Sequence, residues 1–332
     1  MTSDYRDAVH DVYADAALEP DASLCCVDGA VWSLPGLEIP KRMLEMNYGC
    51  GSTVHPADLT GEKPILYVGV GGGLEALQFA YFRRKPGGVI AVDPVGEMRE
   101  AAAQNLAEAE RTNPWFQRDF VHLIDGRAEE LPVEDGAVEV VAQNCLFNVF
   151  VEGDLRRALT EVRRVLKLGG RFSTSDPITP RPIPQALRDD HTLRARCVSG
   201  CQTYADYIAE LHASGFQQLV VRARRPYRLL TPAEFPELDP RKGGGGELML
   251  ESLEVLAIKT PRVEPQPDVY TGRCATFLGD AAGKGIHYRD EKFPFPAGQP
   301  MQVSDRVADE LGRRPDFRVT ASTFHARGPG CC

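Results

Sequence analysis

A doubly wound α/β domain is the fold this sequence predicts, on three observations. Short apolar runs alternate with longer helical patterns, the first run ends in a glycine-rich turn, and the second ends in an acid. Runs too short to be helices, separated by helical segments, are what a mostly parallel sheet needs. The pattern starts after Pro64 with Ile65-Leu66-Tyr67-Val68, turns through Gly69-Val70-Gly71-Gly72-Gly73, and continues as a helix from Leu74 to Phe82. A second strand, Gly88 to Val92, ends in Asp93 and leads to a Glu- and Ala-rich helix reaching about Glu110. Phe120–Ile124 precedes Asp125-Gly126, and Ala137–Val141 precedes Cys145. The helix Leu155–Leu166, the turn Lys167–Gly170 and the strand Arg171–Ser175 complete the rhythm, followed by a helix from Tyr204 to Ser214 and a strand from Gln217 to Ala223.

These units set the core domain at residues 62–225. Residues 1–61 read as an N-terminal cap: an amphipathic stretch from Tyr5 to Leu18, then a loop-rich segment carrying Cys25, Cys26 and Cys50. Arg224-Arg225-Pro226, the Gly243–Gly246 run and Pro261–Pro267 break the alternation, so residues 226–332 read as a separate, mostly β module. Its strands are expected at Glu254–Lys259 and Arg318–Phe324, and it ends in Gly330-Cys331-Cys332.

Composition narrows the class. With 43% hydrophobic and 26% charged residues, the 332-residue chain has the balance of a folded globular protein. A formal net charge of −9, with no basic stripe, argues against nucleic acid as a partner. No run approaches the roughly 18 apolar residues of a membrane span, and the acidic start lacks the basic and apolar regions of a signal peptide, so a cytoplasmic protein is expected. There nine cysteines are expected as reduced thiols rather than a disulfide framework.

The glycine turn carries little information alone; its context does more. Gly69, Gly71 and Gly73 between a strand and a helix let backbone approach a ligand, and Asp93 at the next strand tip suits ribose hydroxyls. Nicotinamide dinucleotides and S-adenosylmethionine both fit this much. The segment Asp125-Gly126-Arg127-Ala128-Glu129-Glu130-Leu131-Pro132 and the helix–Gly169-Gly170–strand signature resemble the adenine-side and later segments of class I S-adenosylmethionine methyltransferases. That resemblance implies a Rossmann-like domain with Gly69, Gly71, Gly73, Asp93, Asp125, Gly126 and Asn144 at the cofactor.

Thiols distinguish this chain from an ordinary member of that class. Cys145 occupies Gln143-Asn144-Cys145-Leu146-Phe147-Asn148, where the acceptor site should lie, and no His, Glu or Lys stands in 144–148 to act as a base. Clustered thiols suit a soft, thiophilic substrate or metal. The set Cys25-Cys26, Asn47-Tyr48-Gly49-Cys50-Gly51, Gln143-Asn144-Cys145 and Arg196-Cys197-Val198-Ser199-Gly200 resembles, in order, the arsenite S-adenosylmethionine methyltransferases. Ser322-Thr323-Phe324-His325 with the Cys331-Cys332 tail resembles the arsenosugar-biosynthesis subgroup. The chain departs from the family at Arg196 and Ser199, where Glu and Gly are usual, at Tyr67, where the family's turn begins with Asp, and in the extra thiol Cys201.

The resemblance implies As(III), as arsenite or its thiol conjugates, held by Cys145 and Cys197 with Cys50 as third ligand or redox thiol. It also implies that Cys50 with Cys25 or Cys26 returns electrons after transfer, regenerated by thioredoxin or glutathione. Two other readings remain at this level: a methyltransferase for an organic small molecule with structural cysteines, and a non-catalytic metalloid- or zinc-binding protein. Cys274 reads as structural.

Overall fold

The computed structural model describes residues 4–21, 23–24, 31–261, 271–279, 285–288 and 293–321. The chain divides into two compact units, Met1–Pro261 and Arg262–Cys332. Cys25, Cys26 and the Ser322–His325 and Cys331-Cys332 tail lie outside the described residues.

The first unit begins with α1 (Tyr5–Leu18) and α2 (Lys41–Glu45), then runs β1 (Ile65–Val68), α3 (Leu74–Arg83), β2 (Val89–Asp93), α4 (Gly96–Thr112), β3 (Val121–Asp125) and β4 (Val138–Asn144). After α5 (Glu152–Val165) come β5 (Leu166–Thr179), α6 (Gln185–Arg188), α7 (His191–Ala195), β6 (Gln202–Thr203), α8 (Tyr204–Ala213), β7 (Gln218–Leu230) and β8 (Leu248–Ile258). Strands follow the order β3-β2-β1-β4-β5-β8-β7, with β6 paired to the end of β5. Strands β1 to β5 are parallel to one another, whereas β8 is antiparallel to both β5 and β7. β1 is wholly buried, as a continuous apolar run in a sheet covered on both faces should be. The order reverses between β1 and β4, where Val68 pairs with Gln143, so the glycine turn and the Asn144-Cys145 turn emerge side by side.

The expected boundary at 225/226 needs correction. Glu254–Lys259 was expected in the terminal module, yet β8 is an internal strand of the main sheet, and the first unit runs to Pro261. Pro226 does not stop β7, because β7 is the sheet's outer strand and Pro226 sits at a register shift, where a missing N–H is tolerated. Residues 1–61 likewise belong to this unit: Met43, Met46, Tyr48 and Val54 join the core formed by Ile65, Phe79 and Ala142.

A second core on the other face gathers Leu66, Val141, Phe147, Leu159, Phe172 and Phe216. Phe172 is fully buried, its ring 5.6 Å from that of Phe147 and 5.7 Å from that of Phe216. Among the described residues no helix is long and apolar enough to cross a membrane.

The second unit is mostly β, as expected. It holds β9 (Cys274–Phe277), the hairpin β10 (Ile286–Tyr288) and β11 (Phe293–Phe295), β12 (Pro300–Gln302), α9 (Asp305–Leu311) and β13 (Phe317–Val319). A three-stranded antiparallel sheet, β12-β9-β13, buries Ala275, Phe277 and Phe317 with Val307 and Leu311 of α9. Cys274 is partly buried on β9, its thiol toward the Gly272 carbonyl at 3.9 Å.

Phe172→Ala removes the ring that joins helix α5, β5 and the Phe147 turn. It is expected to cost about 3–5 kcal/mol, read as a lowered midpoint in urea unfolding followed by far-UV circular dichroism.

Candidate functional site

A cavity of about 270 Å³ opens at the carboxyl ends of β1, β2 and β4, lined by the glycine turn, Asp93, Met98, Gly126, Asn144 and Cys145 and covered by Tyr5, His10 and Tyr13 of α1. Gly69, Gly71 and Gly73 take φ of 79°, 52° and 89°, which side-chain-bearing residues rarely adopt, so the turn needs glycine at these points. Asp93 is buried, and its carboxylate accepts the Val70 and Val95 amides at 2.9 Å each. Burial pushes its pKa up to about 6 despite those hydrogen bonds.

These residues fit the adenosyl part of S-adenosylmethionine. A carboxylate with lone pairs to spare faces the cavity for vicinal hydroxyls, and Val95, Met98 and Ala128 give an apolar wall for a purine. Asp125 is placed differently from expectation. It is exposed, paired with Arg99 at 2.9 Å, and does not line the cavity, whereas Gly126 does. At position 67 an acid arrives from α3 instead: the buried Glu75 faces the cavity and hydrogen-bonds to the Tyr67 hydroxyl. Glu75 also accepts the Thr53 amide at 2.8 Å and hydroxyl at 2.7 Å, and burial raises its pKa.

Among the described residues, the thiols of the site come from three segments. Cys145 follows the last residue of β4 with φ 61°, and Cys197 follows α7 with φ 56°. Arg84 is the other non-glycine residue with positive φ among those described. Left-handed backbone costs roughly 1–2 kcal/mol per residue, so two of three such positions falling on candidate thiols mark a turn held for placement rather than for stability. The Cys145 amide donates to the Ser175 carbonyl at 2.7 Å, and the Cys197 thiol donates to the Cys145 carbonyl at 3.3 Å. The Tyr13 hydroxyl of α1 lies 3.9 Å from the Cys197 sulfur.

Cys50 arrives on the loop Gly49-Cys50-Gly51, laid across three residues paired in register on adjacent strands: Asn144 with Ser175, and Ser175 with Glu254. Asn144 accepts the Cys50 amide at 3.0 Å and donates to the Gly51 carbonyl at 2.9 Å. A methyl at Gly49 would meet the Asn144 amide at 2.5 Å, and one at Gly51 would meet the Ser175 hydroxyl at 2.5 Å, so only glycine fits on either side of the thiol. Cys50 Sγ then sits 3.4 Å from Ser175 Oγ, and the Ser52 amide donates to Glu254 at 3.0 Å.

On the opposite face of the same strands, Asp176 holds the Cys145 turn. It is fully buried and accepts hydrogen bonds from Gln143, from the Phe147 amide at 3.1 Å, from Asn148 at 3.2 Å, from Thr174 at 3.1 Å and from the Tyr207 hydroxyl at 2.8 Å. Burial nevertheless pushes its pKa up to about 6.

Cys50, Cys145 and Cys197 therefore belong to one buried cluster, joined through Ser175 and the Cys145 carbonyl. Among the described residues, no three His, Cys, Asp or Glu side chains are arranged to hold one metal ion. Asp176, Ser175, Glu254 and Tyr13 were not anticipated from sequence. Asp176 alone carried a readable signal, an acid at the end of a predicted parallel strand next to Ser175.

Comparison with known proteins finds relatives of this chain among methyltransferases. Residues 66–174 match the methyltransferase domain family. The arsenite methyltransferase of Halobacterium salinarum is 30% identical over 177 residues, 53% of this chain and 43% of that protein, so the chain spans less than half of that relative's length. The arsenite methyltransferase of Aquipseudomonas alcaligenes is 26% identical over 268 residues, 79% of this chain and 73% of that protein. The crystal structure of an arsenic(III) S-adenosylmethionine methyltransferase from Chlamydomonas reinhardtii superposes with a TM-score of 0.54 at 23% identity, covering 87% of this chain and 95% of that one, and shares its fold.

Two outcomes follow. Asn144→Ala leaves the Cys50 amide and Gly51 carbonyl without their partner, a loss of about 1–3 kcal/mol, and Cys50 should react faster with iodoacetamide, read by peptide mass spectrometry. For Asp176, a folded pKa near 6 above the ordinary carboxylate value means that the native state binds the extra proton. Its contribution is therefore present below the unfolded pKa and is lost as pH rises to about 6, by up to about 3 kcal/mol. Urea unfolding from pH 4 to 7 should show the wild type losing stability relative to Asp176→Asn across that window; parallel curves would refute the assignment.

Proposed function

Because the chain belongs to the arsenite methyltransferase family of class I S-adenosylmethionine-dependent enzymes, we propose that it transfers methyl groups to As(III) held by its own cysteines. The observation that carries this reading is the Cys145 turn: a buried thiol lining the cavity beside the glycine turn, on a segment, 144–148, that carries no carboxylate, imidazole or amine to deprotonate an organic acceptor. S-adenosylmethionine supplies a sulfonium methyl, an electrophile that needs only an aligned lone pair.

The residues divide the work as follows. Asp93 accepts from the ribose hydroxyls, and Val95, Met98 and Gly126 border the adenine side. Cys145 and Cys197 displace hydroxide or small-thiol ligands from As(III), each thiol proton leaving with the displaced group, and Cys50 is the third ligand or the redox thiol. Soft thiolates leave the arsenic lone pair free, so the protein's contribution is aim; well-oriented reactants gain on the order of 7–11 kcal/mol. Tyr13 of the cap stands over this site, its hydroxyl 3.9 Å from the Cys197 sulfur.

Transfer leaves arsenic formally pentavalent. Two thiols, Cys50 with Cys25 or Cys26, return two electrons by closing a disulfide, and an external thiol system, thioredoxin or glutathione, reopens it by exchange.

Reduced protein incubated with S-adenosylmethionine and arsenite should release methylated arsenic, separated by chromatography and detected by elemental mass spectrometry. Cys145→Ser and Cys197→Ser should each lower the rate by about 10²-fold or more, because each removes a group that positions the nucleophile. No methylated arsenic from wild type would end the reading, and full activity in both variants would end the ligand assignment.

A further inference from the structure

A second cavity, about 720 Å³, lies behind the thiol cluster between α5, α6 and α8, and Cys201 forms part of its wall. This cavity is more polar than the first, with three arginines, among them Arg156 and Arg188, balanced by four acids, among them Glu152 and Glu210. Cys201 belongs to a different apolar cluster from the other thiols, packed with Val198, Ile183 and Leu230. Its thiol donates to the Cys197 carbonyl at 3.4 Å, and the Cys197 thiol in turn donates to the Cys145 carbonyl at 3.3 Å. Cys145 lines the first cavity. Three sulfur-bearing residues thus stand in file between two cavities, with the buried Cys197 in the middle.

We propose that the second cavity is the entry site for three-coordinate As(III) bearing exchangeable hydroxide or small-thiolate ligands, and that Cys201 captures it and passes it through Cys197 to Cys145. This rests on the reading of the chain as an arsenic methyltransferase. Each step is a ligand exchange at constant oxidation state: an As–S bond forms to the incoming cysteine, an As–O or As–S bond breaks, and the thiol proton leaves on the displaced water or thiol. The balanced charges of the wall suit arsenous acid, which is uncharged at neutral pH, and the volume admits a small thiol conjugate.

The test uses the full chain, reduced, mixed with arsenite alone or with arsenite premixed with excess glutathione, then quenched at successive times with iodoacetamide and mapped by mass spectrometry. Protection should appear at Cys201 before Cys145. Cys201→Ser, which keeps a donor to the Cys197 carbonyl, should slow protection of Cys145 by about tenfold or more, the order of advantage of a tethered transfer over a bimolecular one. Ala209→Trp, on the exposed rim of the cavity, should slow it likewise while leaving Cys201 in place. Dependence on Cys201 in the first arm alone assigns the cavity to the hydroxide form, and in the second alone to the thiol conjugate; either supports the relay. If wild type protects Cys145 as early as Cys201, or if both variants keep the wild-type rate, the relay is overturned with the enzyme reading intact. Failure of wild type to bind As(III) in either arm removes both.

Discussion

The placement of Cys145 depends on one buried carboxylate. Asp176 receives donors from β4, from the turn after it, from β5 and from α8, and so ties the left-handed corner at Cys145 to three separate elements. A buried charge is costly unless its lone pairs are filled, so the same hydrogen bonds that satisfy Asp176 leave the turn little freedom to relax from its strained φ. Removing one donor loosens the corner and strands the acceptor. Removing the acceptor strands several donors.

Strand alternation makes this compatible with a reactive face. Gln143 and Thr174 point to the Asp176 side, and their successors Asn144 and Ser175 point to the cap, where Glu254 of β8 extends the row. Support and chemistry thus sit on opposite faces of the same residues. The antiparallel insertion of β8 matters because it brings Glu254 into register with Ser175, where it receives the Ser52 amide, pairs with Arg225, and seats the far end of the Gly-Cys-Gly loop.

Much of the framework was legible in the sequence. Strand β1, its glycine turn and α3, then β2 ending in Asp93, are local patterns whose apolar period and turn chemistry agree, and the structure has them within a residue or two. That Cys50, Cys145 and Cys197 share one buried cluster follows the grouping the family resemblance implied, whereas Cys25 and Cys26 lie outside the described residues. The position of β8 was not legible: Pro226 and Gly243–Gly246 look like a domain break, and only the outer location of β7 makes the proline harmless. Asp125 was misplaced for a similar reason, since a position beside Gly126 does not tell which way a side chain turns, and Arg99 draws it toward solvent. Glu75 and Glu254 act through partners roughly 20 and 200 residues away, a separation that no local pattern encodes.

The clasp on the Cys50 loop engages main chain only: Asn144 reads an N–H and a C=O, and the flanking glycines provide clearance. The sulfur itself is met by the Ser175 hydroxyl at 3.4 Å, outside that main-chain grip. Folding and reactivity at this position are therefore separable, and the chain is free to exchange the side chain at residue 50 while its track stays in place.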